Sequence, residues 1–174
     1  MKRQKRGIGM EELGGKTALV TGSTDGVGRL VARKLGQAGA RVLVHGRDAD
    51  REARVVAEIE ASGGTASFLA ADLSSLEEVP RLAAAVQASV GRLDILINNA
   101  GIGTAGPRQT SVEGFELRFS VNYLAGFLLT FLLLPLLKNS APARIVNISS
   151  AGQQPIDFDD VMLTGGYSGA RAYC

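Results

Sequence analysis

The residues in this chain best suited to chemistry sit at the ends of short apolar runs. Thr21-Gly22-Ser23-Thr24-Asp25-Gly26-Val27-Gly28 follows the run Thr17-Ala18-Leu19-Val20 and leads directly into a helical pattern. Glycines at 22, 26 and 28 permit left-handed backbone and close approach, and the helix that follows offers free N–H groups and a positive dipole end to a pyrophosphate. The spacing is not G-x-G-x-x-G. Nor is it a P-loop, because Gly15-Lys16-Thr17 precedes the strand and the leading glycine position holds Met10. Asn98-Asn99-Ala100-Gly101 and Asn147-Ile148-Ser149-Ser150 end two further runs, where ligands of open α/β sheets bind. A tyrosine hydroxyl moves a proton to or from a carbonyl oxygen when a nearby cation lowers its pKa from about 10, and a second hydroxyl polarises the same oxygen. Tyr167 and Tyr173 are the tyrosines downstream of Ser149 and Ser150. The single histidine, His45, has no partner cluster and is expected to pack at a strand end rather than bind metal.

These groups need a parallel sheet to bring them together. Apolar runs at 17–20, 41–45, 67–70, 93–97 and 144–148 read as strands buried on both faces. Helical stripes lie between them: Val27, Leu30, Val31, Leu35 and Ala38; then Ala49, Ala53, Val56 and Ile59; then Leu76, Val79, Leu82 and Val86. Ser75 with Glu78 reads as a capping box, and Pro80 as a delay or kink in the first turns. Strand and helix alternate about every 30 residues, which predicts βαβ crossovers and a doubly wound α/β fold. The stretch 121–137 is the most apolar, but Asn122, Gly126, Thr130 and Pro135 interrupt it. A core or subunit-contact helix is expected there rather than a membrane span of about 20 residues.

The chain has 174 residues, 45% hydrophobic and 21% charged, with a net charge of +2, which suits one globular domain. Lys2, Arg3, Lys5 and Arg6 concentrate positive charge at the start, and the rest is slightly acidic. Residues 1–14 therefore read as a flexible basic tail, and no basic field for nucleic acid covers the body. One cysteine, Cys174, excludes an intrachain disulfide and a multi-cysteine metal site, and the composition reads as cytoplasmic.

Taken in register, Thr-Gly-x-x-x-Gly-x-Gly at 21–28, Asn-Asn-Ala-Gly at 98–101 and Asn-Ile-Ser-Ser at 147–150 resemble the short-chain dehydrogenase/reductase family. The stretch from Ser150 to Arg171-Ala172-Tyr173-Cys174 is most similar to its retinol-dehydrogenase-like branch. The resemblance implies a Rossmann-type doubly wound parallel sheet over 15–174, an NAD(P)-binding domain that is C-terminally incomplete after about the fifth strand. It implies cofactor contacts from Thr21, Gly22, Ser23, Asp25, Gly26, Val27 and Gly28, with Asp72 and Leu73 at the adenine and Asn99, Ala100 and Gly101 near the riboses. It assigns catalysis to Tyr173 and Ser150, with Asn122 holding a water or backbone group in a proton relay. If the last strand persisted to residue 150, period-two alternation would set Ser149 and Ser150 on opposite faces.

In NAD-preferring sites an acidic residue after the second strand bonds the ribose 2′-hydroxyl, whereas an arginine accommodates a 2′-phosphate. Here Gly46-Arg47-Asp48 follows that strand, so NADP(H) is expected over NAD(H), through Arg47. Tyr167 offers Arg171 four residues on where the family's Tyr-x-x-x-Lys motif has lysine. Tyr173 suits the branch better, but its lysine would lie past Cys174, and no lysine follows Lys138. The expected function is an NAD(P)(H)-dependent oxidoreductase interconverting a small apolar alcohol and carbonyl by hydride transfer, in an incomplete form. The alternative is a non-catalytic nucleotide-binding or interaction protein that retains the cofactor half. The apolar stretch is compatible with a homodimer through the 111–138 helix.

Overall fold

A computed structural model describes residues 13–174. Residues 1–12, most of the expected basic tail, lie outside the described residues. Five parallel strands form one sheet in the order β3-β2-β1-β4-β5. They are β1 (Thr17–Val20), β2 (Arg41–Gly46), β3 (Thr65–Ala70), β4 (Ile95–Asn98) and β5 (Arg144–Asn147). Helices α1 (Gly26–Gln37) and α2 (Ala49–Ala61) cover one face, while α3 (Glu78–Ser89) and α4 (Ala125–Asn139) cover the other. This is the Rossmann-type arrangement expected, with its switch point between β1 and β4.

Alternation along the strands divides the core in two. Leu19, Leu43 and Leu96 point to α3 and α4, and their neighbours Val20, Val42, Val44 and Ile97 point to α1 and α2. At the opposite end from the crevice, the buried Asp94 carboxylate ties the strand starts together. It accepts from Lys16 Nζ at 3.0 Å, the Thr17 N–H at 3.0 Å and Arg92 Nε at 2.9 Å. Burial pushes this carboxyl up, and those donors outweigh it, holding its pKa at about 2.

Several elements differ from the sequence reading. Helix α1 does not bury Val27 and Leu30, which are more than half exposed; it buries Gly28, Ala32 and Gly36. These small residues let its backbone press onto the sheet and α2, and a Cβ on Gly36 would stand 2.5 Å from Ile59 Cγ2. Helix α2 buries Glu52, Val55 and Ile59 instead of Ala49 and Ala53. The Ser75–Glu78 capping box is not formed. Glu113, far along the chain, accepts the Leu76 N–H at 2.6 Å, and α3 begins only at Glu78. Pro80 then lies in the first turn, where a missing N–H costs no helical bond. The expectation of strands buried on both faces fails at the two edges: β3 has no fully buried residue, and the residues of β5 are all exposed. Strand β5 pairs with β4 alone.

The apolar stretch becomes a π-helical turn, Phe119–Leu124, continuous with α4. Phe119–Asn139 is long and apolar enough to cross a membrane by length and composition. In this fold Ala125, Leu129, Leu133 and Leu137 enter the core, while Tyr123, Phe127 and Phe131 face outward.

Candidate functional site

The glycine turn is held by bonds to the ends of β2 and β4. Thr21 Oγ1 donates to the Ile97 carbonyl and accepts the N–H groups of Asn99 and Ala100 at 2.9 and 3.0 Å. Asn99 Nδ2 returns bonds to the carbonyls of Thr21 and Gly22 at 2.9 and 3.1 Å. From the other side, buried His45 accepts the Gly22 N–H on Nδ1 at 3.1 Å. The His45 N–H donates to Ser23 Oγ at 2.9 Å, and the His45 carbonyl accepts the Ser23 N–H at 2.9 Å. Thr21 and Ser23 are therefore buried framework of the turn, their hydroxyls facing inward.

Three glycines are required by this shape. Gly22 has φ +61°, and a Cβ there would meet Ala100 Cα at 2.8 Å. Gly26 has φ +52° and open space beside it. A Cβ on Gly28 would stand 2.3 Å from the Gly22 carbonyl oxygen and 2.4 Å from Asn99 Nδ2. Asp25 caps α1, accepting the Gly26 N–H at 2.7 Å, and Val27 in the first turn is exposed. An open turn leading into a helix N-terminus suits the pyrophosphate of a dinucleotide.

The rim beside it explains Gly46. A Cβ there would lie 2.6 Å from Thr24 Cγ2 and 2.9 Å from Glu52 Oε1, so any side chain at that position must displace Thr24 and Glu52. Arg47, next along, is largely exposed and stands 3.6 Å from the half-buried Asp72. Burial pushes the Asp72 carboxyl up, but bonds from Ser74 and the Arg47 charge outweigh it and lower its pKa. Leu73 is in the core, so only its backbone is available at the crevice. Glu52, fully buried with neither oxygen partnered, was not picked out by sequence reasoning. Burial raises its pKa, and nothing in its spacing distinguishes it from a solvated helix charge.

Asn99, Ala100 and Gly101 continue into a cavity of about 810 Å³ that also brings together Asn122, Ser149, Ser150 and Tyr173. The π-helical turn aims Asn122 at the 101–103 loop, where it accepts the Ile102 N–H at 2.8 Å and donates to the Ile102 carbonyl at 3.1 Å. Strand β5 stops at Asn147, so the alternation argument does not separate Ser149 from Ser150 and both reach the cavity. Ser150 Oγ accepts the Gly152 N–H at 3.0 Å. Tyr173, the last residue of α5 (Gly169–Tyr173), is 38% exposed on the wall.

Tyr167 is engaged elsewhere. Its hydroxyl donates to Glu116 at 3.3 Å and accepts from Arg118, and both of these charged residues are buried. Burial, reinforced by Glu116, raises the Tyr167 pKa, which keeps the phenol protonated. Arg118 also donates to the carbonyls of Gly103 and Ala105, bracing the cavity loop. Sequence reasoning missed the Glu116–Arg118–Tyr167 group, and also the Asn98 bonds to Thr130 and Asn147, at 2.9 and 2.8 Å, that lock β4 to α4 and β5.

Comparison with known proteins agrees with this geometry. The family model described as short chain dehydrogenase matches residues 16–166. Dehydrogenase/reductase SDR family member 13 of Bos taurus is 41% identical over 171 residues, 95% of this chain and 45% of the relative. Retinol dehydrogenase 13 of Homo sapiens is 40% identical over 92% of this chain and 50% of its own length. The chain thus spans about half the length of these relatives. Among solved structures, a metagenomic short-chain oxidoreductase in complex with NADP superposes with a TM-score of 0.73 at 39% identity. That match covers 83% of this chain and 66% of the other. A Pseudomonas aeruginosa RhlG/NADP active-site complex also scores 0.73, at 40% identity, covering 92% of this chain and 61% of the other.

Proposed function

The chain belongs to the short-chain dehydrogenase family, and from that premise we propose that it works as an oxidoreductase interconverting a small apolar alcohol and its carbonyl with NADP(H). The observation that carries the reading is continuity. Asn99 and Ala100, which abut the glycine turn at Gly22, also line the cavity that Gly101, Asn122, Ser150 and Tyr173 share. A dinucleotide lying along the crevice has its pyrophosphate at the turn 22–28 and its nicotinamide end at that cavity.

When bound, the nicotinamide supplies the hydride donor or acceptor. In this reading the Ser150 hydroxyl hydrogen-bonds the substrate oxygen, and the Tyr173 hydroxyl passes the proton to or from it. Asn122 is a positioning residue, holding the Ile102 backbone and so the loop that closes the cavity side. Ile102, Phe119, Ile148, Ile156 and Phe158 give the cavity apolar wall, which supports an apolar substrate. Gly46 supplies no carboxylate after the second strand, and this, together with the adjacent Arg47, supports NADP(H) over NAD(H). The single cysteine supports a reducing, cytoplasmic setting, and the outward Tyr123, Phe127 and Phe131 support a homodimer through residues 111–138.

One observation favours a second reading, a dinucleotide-binding protein without turnover. Tyr167 is held by Glu116 and Arg118, and Arg171, four residues after it on the cavity wall, is bonded to Asp157 and the Gly165 carbonyl. Titration with NADPH and NADH, followed by nucleotide fluorescence and then by turnover with apolar aldehydes, decides between them. Saturable NADPH binding with turnover that Tyr173→Phe abolishes supports the enzyme. Binding without turnover supports the second reading, and binding of neither nucleotide overturns both.

A further inference from the structure

Two aspartates flank the crevice where a 2′-phosphate would add negative charge, and one arginine joins them. Asp25 caps α1 and Asp48 caps α2, and each spends Oδ1 on its helix: Asp25 accepts the Gly26 N–H, and Asp48 accepts the N–H groups of Asp50 and Arg51 at 3.1 Å. Each turns Oδ2 toward Arg51, at 3.7 Å from Nη1 for Asp25 and 3.3 Å from Nε for Asp48. Beside them lies a small recess of about 210 Å³, lined by Thr24, Asp25, Arg29, Arg51, Arg54 and Val55. Its other arginines are already used, Arg29 by Glu58 and Arg54 by the Asp50 carbonyl. Arg47 faces a third carboxylate, Asp72.

We infer that Arg51 is a specificity-determining residue for the cofactor: it cancels Asp25 and Asp48 so that Arg47 is able to receive the 2′-phosphate of NADP(H). This inference rests on the NADP(H) reading above. Without Arg51 the rim carries three carboxylates against one guanidinium, and a phosphate dianion is repelled where a 2′-hydroxyl is not. Arg51 sits in the first turn of α2, where a cation gains nothing from the helix dipole. Its pair with Asp48 is a local i,i+3 contact, and its pair with Asp25 reaches across to the glycine turn.

The test is titration of the full chain with NADPH and NADH at low salt, for wild type, Arg51→Ala, Arg51→Lys, Asp25→Asn, and Arg51→Ala combined with Asp25→Asn. Arg51→Ala is expected to weaken NADPH by about fivefold while NADH changes less than about twofold, the scale of an exposed ion pair. The difference is expected to shrink at high salt, and Arg51→Lys to retain most of the preference. Asparagine still caps a helix, so Asp25→Asn alone is expected to tighten NADPH selectively and, in the double variant, to restore much of the loss. Equal losses of both nucleotides in Arg51→Ala, with no selective gain in Asp25→Asn, overturn the inference and leave the NADP(H) reading standing. A wild type that prefers NADH overturns that reading itself.

Discussion

His45 provides the most direct physical test of the crevice. Its imidazole is buried beneath the glycine turn, with Nδ1 accepting the Gly22 N–H, a role only the neutral ring performs. Burial drives its pKa down from 6.5 to about 4, against smaller opposing effects of the Ala71 backbone and Asp72. An unfolded chain takes up this proton near 6.5, and the folded chain refuses it until about 4. The native state therefore has no penalty from this group above pH 6.5, and a penalty that grows by about 1.4 kcal/mol per pH unit below it. Across the whole interval this reaches about 3 kcal/mol, a large part of an ordinary domain's stability. Replacing His45 by Asn keeps an acceptor near the Nδ1 position and removes the titration. Because His45 is the only histidine, the difference between the two proteins isolates it while the carboxylates cancel. Urea unfolding followed by far-ultraviolet circular dichroism at pH 7, 6, 5 and 4.5 reads that difference. Wild type is expected to lose about 2–3 kcal/mol relative to His45→Asn between pH 7 and 4.5. Parallel stability curves over that range refute the buried, neutral assignment and with it the account of how the turn is held.

Other perturbations test separate parts of the structure. Asp94→Asn is expected to cost about 2 kcal/mol at pH 7, from a carboxyl held at about 2 instead of 3.8. A depressed carboxylate stabilises above its unfolded pKa and loses this as pH falls through about 4 toward 2, so acid unfolding should erase the difference between the two proteins. Glu52→Leu is expected to stabilise by about 1–3 kcal/mol at pH 7, since it removes a buried carboxyl with no partner. With its folded pKa raised, Glu52 costs more as pH rises past about 4.3, so the gain should be larger at pH 7 than at pH 4 in urea midpoints. Gly28→Ala forces a methyl onto the Gly22 carbonyl and Asn99, and should weaken NADPH at least about tenfold by fluorescence titration. Gly91→Ala, with open space around it, should leave binding unchanged.

The strand positions were legible because strands of a parallel sheet need continuous apolar runs; 17–20 and 41–45 are buried runs of this kind, and 144–148 keeps the pattern although β5 lies exposed at the sheet edge. Helix faces were less legible. Of the hydrophobic stripe expected for α1, Val31 and Leu35 pack against the core but Val27 and Leu30 do not, because the face pressed onto the sheet is that of Gly28, Ala32 and Gly36, where close approach outweighs side-chain hydrophobicity. The same logic makes glycine, and not a larger apolar residue, the occupant of 28 and 36. Charged residues misled for a different reason: periodicity treats every Glu and Arg as solvated. Glu52, Glu116 and Arg118 are buried by tertiary contacts that no local pattern encodes. Two helix entries show the range. Asp48 caps its helix with its own side chain, as local chemistry dictates, whereas the turn before α3 borrows Glu113 from across the chain. The cofactor rim lies between these extremes. Arg47 was readable from its place after the second strand, but its electrostatic setting depends on Asp25, Asp48, Arg51 and Asp72, which three separate segments bring together only when folded. Selectivity between two nucleotides that differ by one phosphate is therefore a property of the assembled rim, and a single motif position predicts it only as far as its neighbours' charges cancel.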